Sequence, residues 1–86
     1  MTPTLSSSRP TLPLTMAIPG ETVELVDIQL ERTEKQRLRE LGLLPGSSLR
    51  VIKSDPTHGL IVAVRQDGRL ALNRSTAHKL LVCLIG

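Results

Sequence analysis

The chain contains no phenylalanine, tyrosine or tryptophan among its 86 residues. Its core must therefore be aliphatic, and the β-branched members of such a core suit the pleated surface of strands. Without aromatic rings the chain offers no platform on which nucleotide bases could stack, as single-strand binders usually require. It also lacks the aromatic lining of a groove for proline-rich peptides. The composition favours a small β-rich domain and disfavours both of these binding functions.

Cysteine and long apolar runs are also scarce. The single cysteine, Cys83, cannot form a disulfide within the chain, which fits a reducing compartment. No stretch approaches the roughly 20 apolar residues needed to cross a bilayer. Pro, Ser and Thr interrupt residues 1–19, where a signal peptide would need a continuous apolar core. We therefore predict a cytoplasmic protein.

The residue patterns of catalytic and metal sites are missing as well. His58 and His78 lie far apart, and the chain has no His-x-x-x-His spacing, no Cys-x-x-Cys spacing and no Gly-rich phosphate loop. Ser75 lies near His78, but a helix cap explains it without chemistry. The sequence predicts no enzyme and no required cofactor. His58 and His78 are the candidates for a divalent metal held adventitiously at the surface.

The formal net charge of +3 is not concentrated in one segment. The densest basic run is interrupted by glutamates, as Arg32, Lys35, Arg37 and Arg39 alternate with Glu31, Glu34 and Glu40. Nucleic-acid binders normally cluster positive charge on one face or along one element. We interpret the run as a solvated helix face and keep a nucleic-acid-binding small barrel as an alternative.

Turn and strand signals divide the chain into a tail and one domain. Residues 1–13 are rich in Ser, Thr and Pro, and we expect a flexible N-terminal tail. Residues 14–86 form the predicted domain. Apolar alternation predicts strands over residues 21–29, 48–54, 60–65, 69–73 and 80–85. Gly68 follows Asp67 in a predicted hairpin turn between the third and fourth of them.

A short helix is predicted between the first two strands. Thr33 is the expected N-cap, with Gln36 completing a capping box. Gly42 is expected in the left-handed conformation that ends a helix. Pro45-Gly46 follows as a turn, because proline presets one backbone angle and glycine accepts positive φ.

The stretch Arg37-Leu38-Arg39-Glu40-Leu41-Gly42-Leu43-Leu44-Pro45-Gly46 resembles the signature of the FeoA family. These are the small cytoplasmic partners of the bacterial ferrous iron transporter FeoB. Asp67-Gly68, Ala71-Leu72 and the spacing Ala77-x-x-Leu80-x-Val82 extend the resemblance over roughly residues 14–84.

The resemblance implies a mainly β fold with one short helix, a small SH3-like barrel of about five strands. It also implies a non-catalytic accessory protein of ferrous iron uptake that binds and regulates FeoB through the transporter's cytoplasmic region. The same module closes some iron-dependent repressors. A detached metalloregulator-type interaction domain is therefore a further alternative.

Two surfaces are candidates for partner binding. One is the helix–turn region with Arg37, Arg39 and Leu44. The other is the last strand. Regular alternation would turn Leu80, Val82 and Leu84 to the core and Leu81, Cys83 and Ile85 outward. Such an apolar outer face favours a homodimer or a transporter contact. A bulge, or coverage by the segment around residues 14–18, would explain it equally well.

Overall fold

The computed structural model describes residues 10–64 and 68–85, which form one antiparallel sheet with two helices. The strands are β1 (Leu12–Pro13), β2 (Thr22–Ile28), β3 (Ser48–Asp55), β4 (Gly59–Val64), β5 (Gly68–Leu72) and β6 (Leu80–Leu84). The helices are α1 (Arg32–Glu40) and α2 (Arg74–His78), and a 3-10 turn spans Leu14–Met16. The hydrogen-bonded strand order is β1-β6-β2-β3-β4-β5.

The predicted mainly β fold is confirmed, and the five predicted strands correspond to β2–β6. β1 is not predicted from the sequence, because its two residues include a proline and carry almost no strand signal. The prediction of a closed barrel needs correction. Among the described residues the hydrogen-bonded order begins at β1 and ends at β5, and no ladder joins those two strands.

The domain also begins earlier than predicted. Leu12 pairs with Val82 and Pro13 with Leu81, so two residues assigned to the tail belong to the sheet. Leu12 additionally packs against the hydrophobic core. The predicted boundary after residue 13 is therefore too late, and residues 1–9 lie outside the described part of the chain.

Two bulges explain why strand alternation in the sequence is imperfect. The β2–β6 register shifts between Leu25 and Asp27, and this shift lets Ile28 join Val23 and Leu25 in the core. A second shift in the β3–β4 ladder follows Val51 and leaves Ile52 exposed. The first bulge thus returns an apolar residue to the core, and the second leaves one exposed.

The core is aliphatic, as the composition requires. Its largest fully buried side chains are Leu14, Leu25, Leu43, Leu49, Leu60 and Leu80. No polar or charged residue among the described ones is buried. Because the core lacks polar groups, its stability comes from burial and packing of apolar surface. Within the described residues no helix has the length and apolar character needed to cross a membrane.

The end of α1 forms as predicted, but its start does not. Gly42 has φ +96°, its N–H donates to Arg39 and the N–H of Leu43 donates to Leu38, so the helix ends in a Schellman motif. Leu38 and Leu43 are both buried and complete the motif's apolar contact. The N-cap is Glu31, without a side-chain cap. Thr33 lies inside the helix, so the predicted capping box is wrong.

The start of α2 also differs from the prediction. Asn73, rather than Ser75, is the N-cap, and its side-chain oxygen accepts the backbone N–H of Thr76 at 2.8 Å. The Ser75 hydroxyl donates to the same oxygen at 3.0 Å. Asn73 therefore fixes the start of α2.

One glycine requirement escaped the sequence analysis. Gly59 begins β4 with φ +116°, and a Cβ at this position would collide with the backbone carbonyl oxygen of Leu72. Only glycine lets β4 approach the end of β5 this closely. The turn before it therefore depends on a residue that the pattern of apolar alternation did not single out.

Candidate functional site

The turn that follows α1 is fixed to β2 by backbone hydrogen bonds. The N–H of Gly46 donates to the carbonyl of Leu25 at 2.7 Å, and the N–H of Leu25 donates to the carbonyl of Ser47 at 2.8 Å. The Ser47 hydroxyl accepts the N–H of Leu44 at 3.1 Å and donates to the carbonyl of Gly42 at 3.2 Å. These bonds hold Leu44 and Pro45 in a defined position beside the helix.

An open groove of about 780 Å³ runs between α1, the end of β2 and this turn. We call it the α1 groove. Its apolar lining comes from Ile28, Leu30, Leu44 and Pro45. Ile28 is buried, Leu30 is half-buried, and Leu44 is 41% exposed. The groove therefore combines apolar surface anchored in the core with apolar surface that is still open to solvent.

The polar lining of the α1 groove comes from one face of α1: Arg32, Lys35, Gln36 and Arg39. Their spacing of i, i+3, i+4 and i+7 places them side by side on a helix. No carboxylate is among the described lining residues. Among the described residues, the one ion pair lies elsewhere, so no described carboxylate neutralises these three cations at contact distance.

The structure thus separates charges that are mixed in the sequence. Arg37 and Arg39 are both exposed residues of the last turn of α1, but a helix places residues two apart about 160° from each other. Arg39 lines the α1 groove, whereas Arg37 does not. Of the predicted helix–turn contacts, Arg39 and Leu44 come together and Arg37 points to a different side.

The predicted outer face of β6 needs correction. Cys83 is buried to 5% exposure, although the sequence analysis placed it outward. Leu84, expected in the core, is 47% exposed. β6 is an interior strand between β1 and β2, so Cys83 does not lie on a free edge. Leu84 lies at the end of β6, beyond the Leu12–Val82 pair that closes β1.

The rest of this face is divided. Leu81 is half-buried beside Pro13 of β1, and Ile85 is exposed. The N–H of Ile85 donates to the carbonyl of Thr22 at 3.0 Å, which holds it at the end of the sheet. The three predicted contact residues Leu81, Cys83 and Ile85 therefore do not form one continuous outward stripe.

His58 and Asp55 form a local pair in the turn between β3 and β4. His58 Nδ1 lies 3.1 Å from Asp55 Oδ2, and Asp55 Oδ1 accepts the backbone N–H groups of Thr57 and His58. The Thr57 N–H and then the His58 side chain lower the pKa of Asp55 from 3.8 to about 2. Hydrogen bonding that favours the ionised carboxylate explains the direction.

The second candidate metal ligand, His78, is the exposed last residue of α2. No group of three or more His, Cys, Asp or Glu side chains in the described ranges is arranged to hold a metal ion. His58 already contacts Asp55, and together they supply two potential metal-ligating side chains at an exposed turn. The structure adds no further ligand to either histidine within the described residues.

The predicted turn glycines differ in how far the structure describes them. Gly46 has φ +98°, as the Pro45-Gly46 turn requires, and Gly42 ends α1. Gly68 is the first residue of β5 and pairs with Val64. Residues 65–67 of the predicted hairpin turn lie outside the described residues. The antiparallel β4–β5 pair on either side agrees with a hairpin connection.

Arg32 and Lys35 are the groove residues that the sequence analysis did not select as contacts. The signal that could have found them is the helical spacing of Arg32, Lys35 and Arg39. Glu34, the one glutamate between them in the sequence, does not line the α1 groove. Ile28 and Leu30 gave no such signal, because their approach to the turn depends on the bulge in β2.

Comparison with known families identifies the domain. The FeoA domain profile matches residues 12–83 of the chain. The start of this match coincides with the first residue of β1. No curated protein sequence matches the chain significantly.

Solved structures show the same fold. A crystal structure of an iron uptake regulatory protein (FeoA) has 28% sequence identity and a TM-score of 0.81, over 88% of this chain and 100% of that one. The solution structure of FeoA from Chlorobium tepidum has 24% identity and a TM-score of 0.79, over 87% of this chain and 71% of that one. The second likeness is one of fold alone.

A regulator also contains this fold. A manganese-dependent transcriptional repressor, solved in complex with manganese, has 19% identity and a TM-score of 0.80. The similarity covers 88% of this chain and 37% of that chain. The fold therefore occurs both as a small separate protein and as part of a longer one.

Proposed function

Because the chain belongs to the FeoA domain family, we propose that it is a non-catalytic accessory protein of ferrous iron uptake that binds and regulates the transporter FeoB. The observation that carries this proposal is the family match over residues 12–83, which spans nearly all described residues. The likeness to an iron uptake regulatory protein over that protein's full length supports it. The partner in this proposal is the cytoplasmic region of FeoB, which places the chain in the cytoplasm.

The proposed mechanism is a shift in the population of transporter conformations. A bound protein changes such an equilibrium only by as much as its affinities for the two states differ. A small domain with an aliphatic core and an open antiparallel sheet, of the SH3-like class, provides a rigid surface for this purpose. The mechanism involves no chemical step on this chain and requires no cofactor; a divalent metal at His58 or His78 would be adventitious.

The direct test is binding of the full chain to the soluble cytoplasmic region of FeoB from the same organism. Affinity is measured by calorimetry with that region free of nucleotide, bound to GDP and bound to a non-hydrolysable GTP analogue. We expect binding in all three cases and a higher affinity for one of them. Equal affinities would refute the population shift, and no binding at the highest soluble concentration would refute the partner.

A second candidate function is that of an interaction domain for a metal-dependent repressor. The structural likeness to the manganese-dependent repressor favours it, because the fold forms a part of that longer chain. The same calorimetric experiment with a co-encoded repressor discriminates the two functions. Binding to the repressor without binding to FeoB would support the second candidate.

A further inference from the structure

We propose that the α1 groove binds an acidic protein segment that carries apolar side chains. The inference deepens the proposed function, since it rests on FeoB as the protein whose cytoplasmic region would supply the segment. The observation behind it is the pairing of a cationic helix face with an apolar wall in one groove.

The charge of the α1 groove determines the sign of its partner. Arg32, Lys35 and Arg39 line it, and no carboxylate is among its described lining residues. Cations with no carboxylate at contact distance attract carboxylates and repel basic segments, which makes charge a source of specificity and of association rate. Arginine additionally offers a planar set of donors that matches a carboxylate in two places.

The apolar wall determines the second property of the partner. Leu44 and Pro45 are exposed beside the half-buried Leu30, and the hydrogen bonds of the turn hold them in place. Because this wall is preorganised, a partner's apolar side chain could bury it without first ordering the turn. A purely acidic segment would leave the wall exposed to water, so the preferred partner carries apolar residues among its carboxylates.

The same features favour a peptide over a nucleic acid. Phosphate groups could pair with the cations, but a sugar–phosphate backbone has no apolar side chains to cover Leu44 and Pro45. The chain has no aromatic residue that could stack on an unpaired base. A nucleic acid would therefore use only the charged half of the α1 groove.

Charge reversal at two arginines of the same helix turn tests the inference. Arg39→Glu changes the α1 groove, and Arg37→Glu is its matched control outside the groove. Both residues are exposed and basic in the last turn of α1, so both changes have similar effects on helix stability and net charge. We expect Arg39→Glu to weaken binding to the FeoB region about fivefold and Arg37→Glu less than about twofold.

A second pair of variants tests the apolar wall. Leu44 is 41% exposed within the α1 groove and Ile52 is 38% exposed outside it, so the two leucine-sized side chains are matched in accessibility. Leu44→Ser should weaken binding about threefold to tenfold, because the bound segment would cover its remaining apolar surface. Ile52→Ser should leave the affinity unchanged. Equal effects of the two substitutions would overturn the apolar part of the inference.

An independent probe separates the inference from the proposed function. The probe is a fluorescent peptide of about 15 residues built from Glu and Leu, with a Lys and Leu peptide of the same length as its control. We expect the wild-type chain to bind the acidic peptide but not the basic one. Arg39→Glu should reduce this binding more than Arg37→Glu does.

The outcomes then distinguish the two proposals. Acidic-peptide binding that depends on Arg39 supports the inference, whether or not the FeoB region binds. Failure of the FeoB region to bind refutes the proposed function. FeoB binding that responds equally to Arg37→Glu and Arg39→Glu supports the proposed function and overturns the inference. Binding of a single-stranded oligonucleotide through Arg39, without binding of the acidic peptide, would also overturn it.

Discussion

The α1 groove is open to solvent, whereas Cys83 of β6 is buried. Both hydrogen-bonding edges of β6 are paired, with β1 and β2, and its exposed residues, Leu84 and Ile85, lie at its end. α1 contributes one buried side chain, Leu38, and leaves the rest of its surface to solvent. β6 therefore offers a partner exposed apolar side chains only at its end, whereas α1, with one buried residue, leaves most of its surface open.

The largest expected effect sharpens this comparison within β6 itself. Cys83→Asp would place an unpaired charge at a position that is 5% exposed, and we expect a loss of about 3–5 kcal/mol or failure to fold. Leu84→Asp at the next residue, which is 47% exposed, should change the free energy of unfolding by less than about 1 kcal/mol. Urea unfolding of both variants measures the difference. Similar losses would show that the two side chains are buried alike.

The next effect concerns β1, the strand that pairs with one edge of β6. A chain that begins at Leu14 lacks Leu12 and the two pairs of β1 with β6, so we expect it to lose about 1–2 kcal/mol of stability. A chain that begins at Pro10 retains β1 and serves as the matched control. Thermal unfolding compares them with the full-length chain. If the chain beginning at Leu14 melts at the same temperature as the full-length chain, β1 contributes nothing to stability and the predicted boundary after residue 13 is adequate.

An effect of comparable size is expected at the helix end that leads into the wall of the α1 groove. Gly42→Ala puts a side chain at φ +96° with its Cβ 3.3 Å from Val64 Cγ1, and we expect destabilisation by about 1–2 kcal/mol. Gly46→Ala has similar backbone strain at φ +98° but nothing within 4 Å of its Cβ. The difference between the two variants in chemical denaturation isolates the contact with Val64. A larger loss at Gly46 would contradict this assignment.

The two surfaces also differ in how well the sequence predicts them. The Gly42 helix end and the Pro45-Gly46 turn are local, because the backbone conformation at each depends on the residue itself and its near neighbours. The burial of Cys83 and the exposure of Leu84 reverse the faces that regular alternation along β6 assigns to them. Alternation alone assigns faces, but it cannot tell which residue lies at the end of the core.

The charge on α1 is an intermediate case. Its separation into a cationic groove face and a mixed opposite side follows from helical spacing, which the sequence contains. Counting charges along the chain hides this separation, because Glu34 and Glu40 stand next to groove cations in the sequence although neither lines the α1 groove. The α1 groove itself could not be predicted, since its other wall requires the bulge in β2 and the bonds from Leu25 to residues 46 and 47.

The smallest expected effect lies in the β3–β4 turn. This turn belongs neither to the α1 groove nor to β6, so variants in it serve as a control for both. Hydrogen bonds from Thr57 and then His58 lower the pKa of Asp55 from 3.8 to about 2 in the folded chain. The Asp55 carboxylate is therefore protonated less readily in the folded state than in the unfolded state. The contribution to stability is present above about pH 4 and is lost as the pH falls through about 2. Asp55→Asn should then destabilise the chain slightly at neutral pH and no longer do so near pH 2, as measured by thermal unfolding.

Removing His58 separates the two causes of this shift. His58→Ala deletes the side-chain contact of 3.1 Å but keeps the backbone donors of residues 57 and 58, so the pKa of Asp55 should rise only part of the way toward 3.8. An NMR titration of the Asp55 carboxyl carbon gives this value in the folded state. Full recovery of 3.8 would assign the whole shift to the histidine rather than to the turn. Neither variant should alter binding at the α1 groove, because no residue of this pair lines it. A change in FeoB affinity on His58→Ala would instead extend the functional surface across the β3–β4 turn.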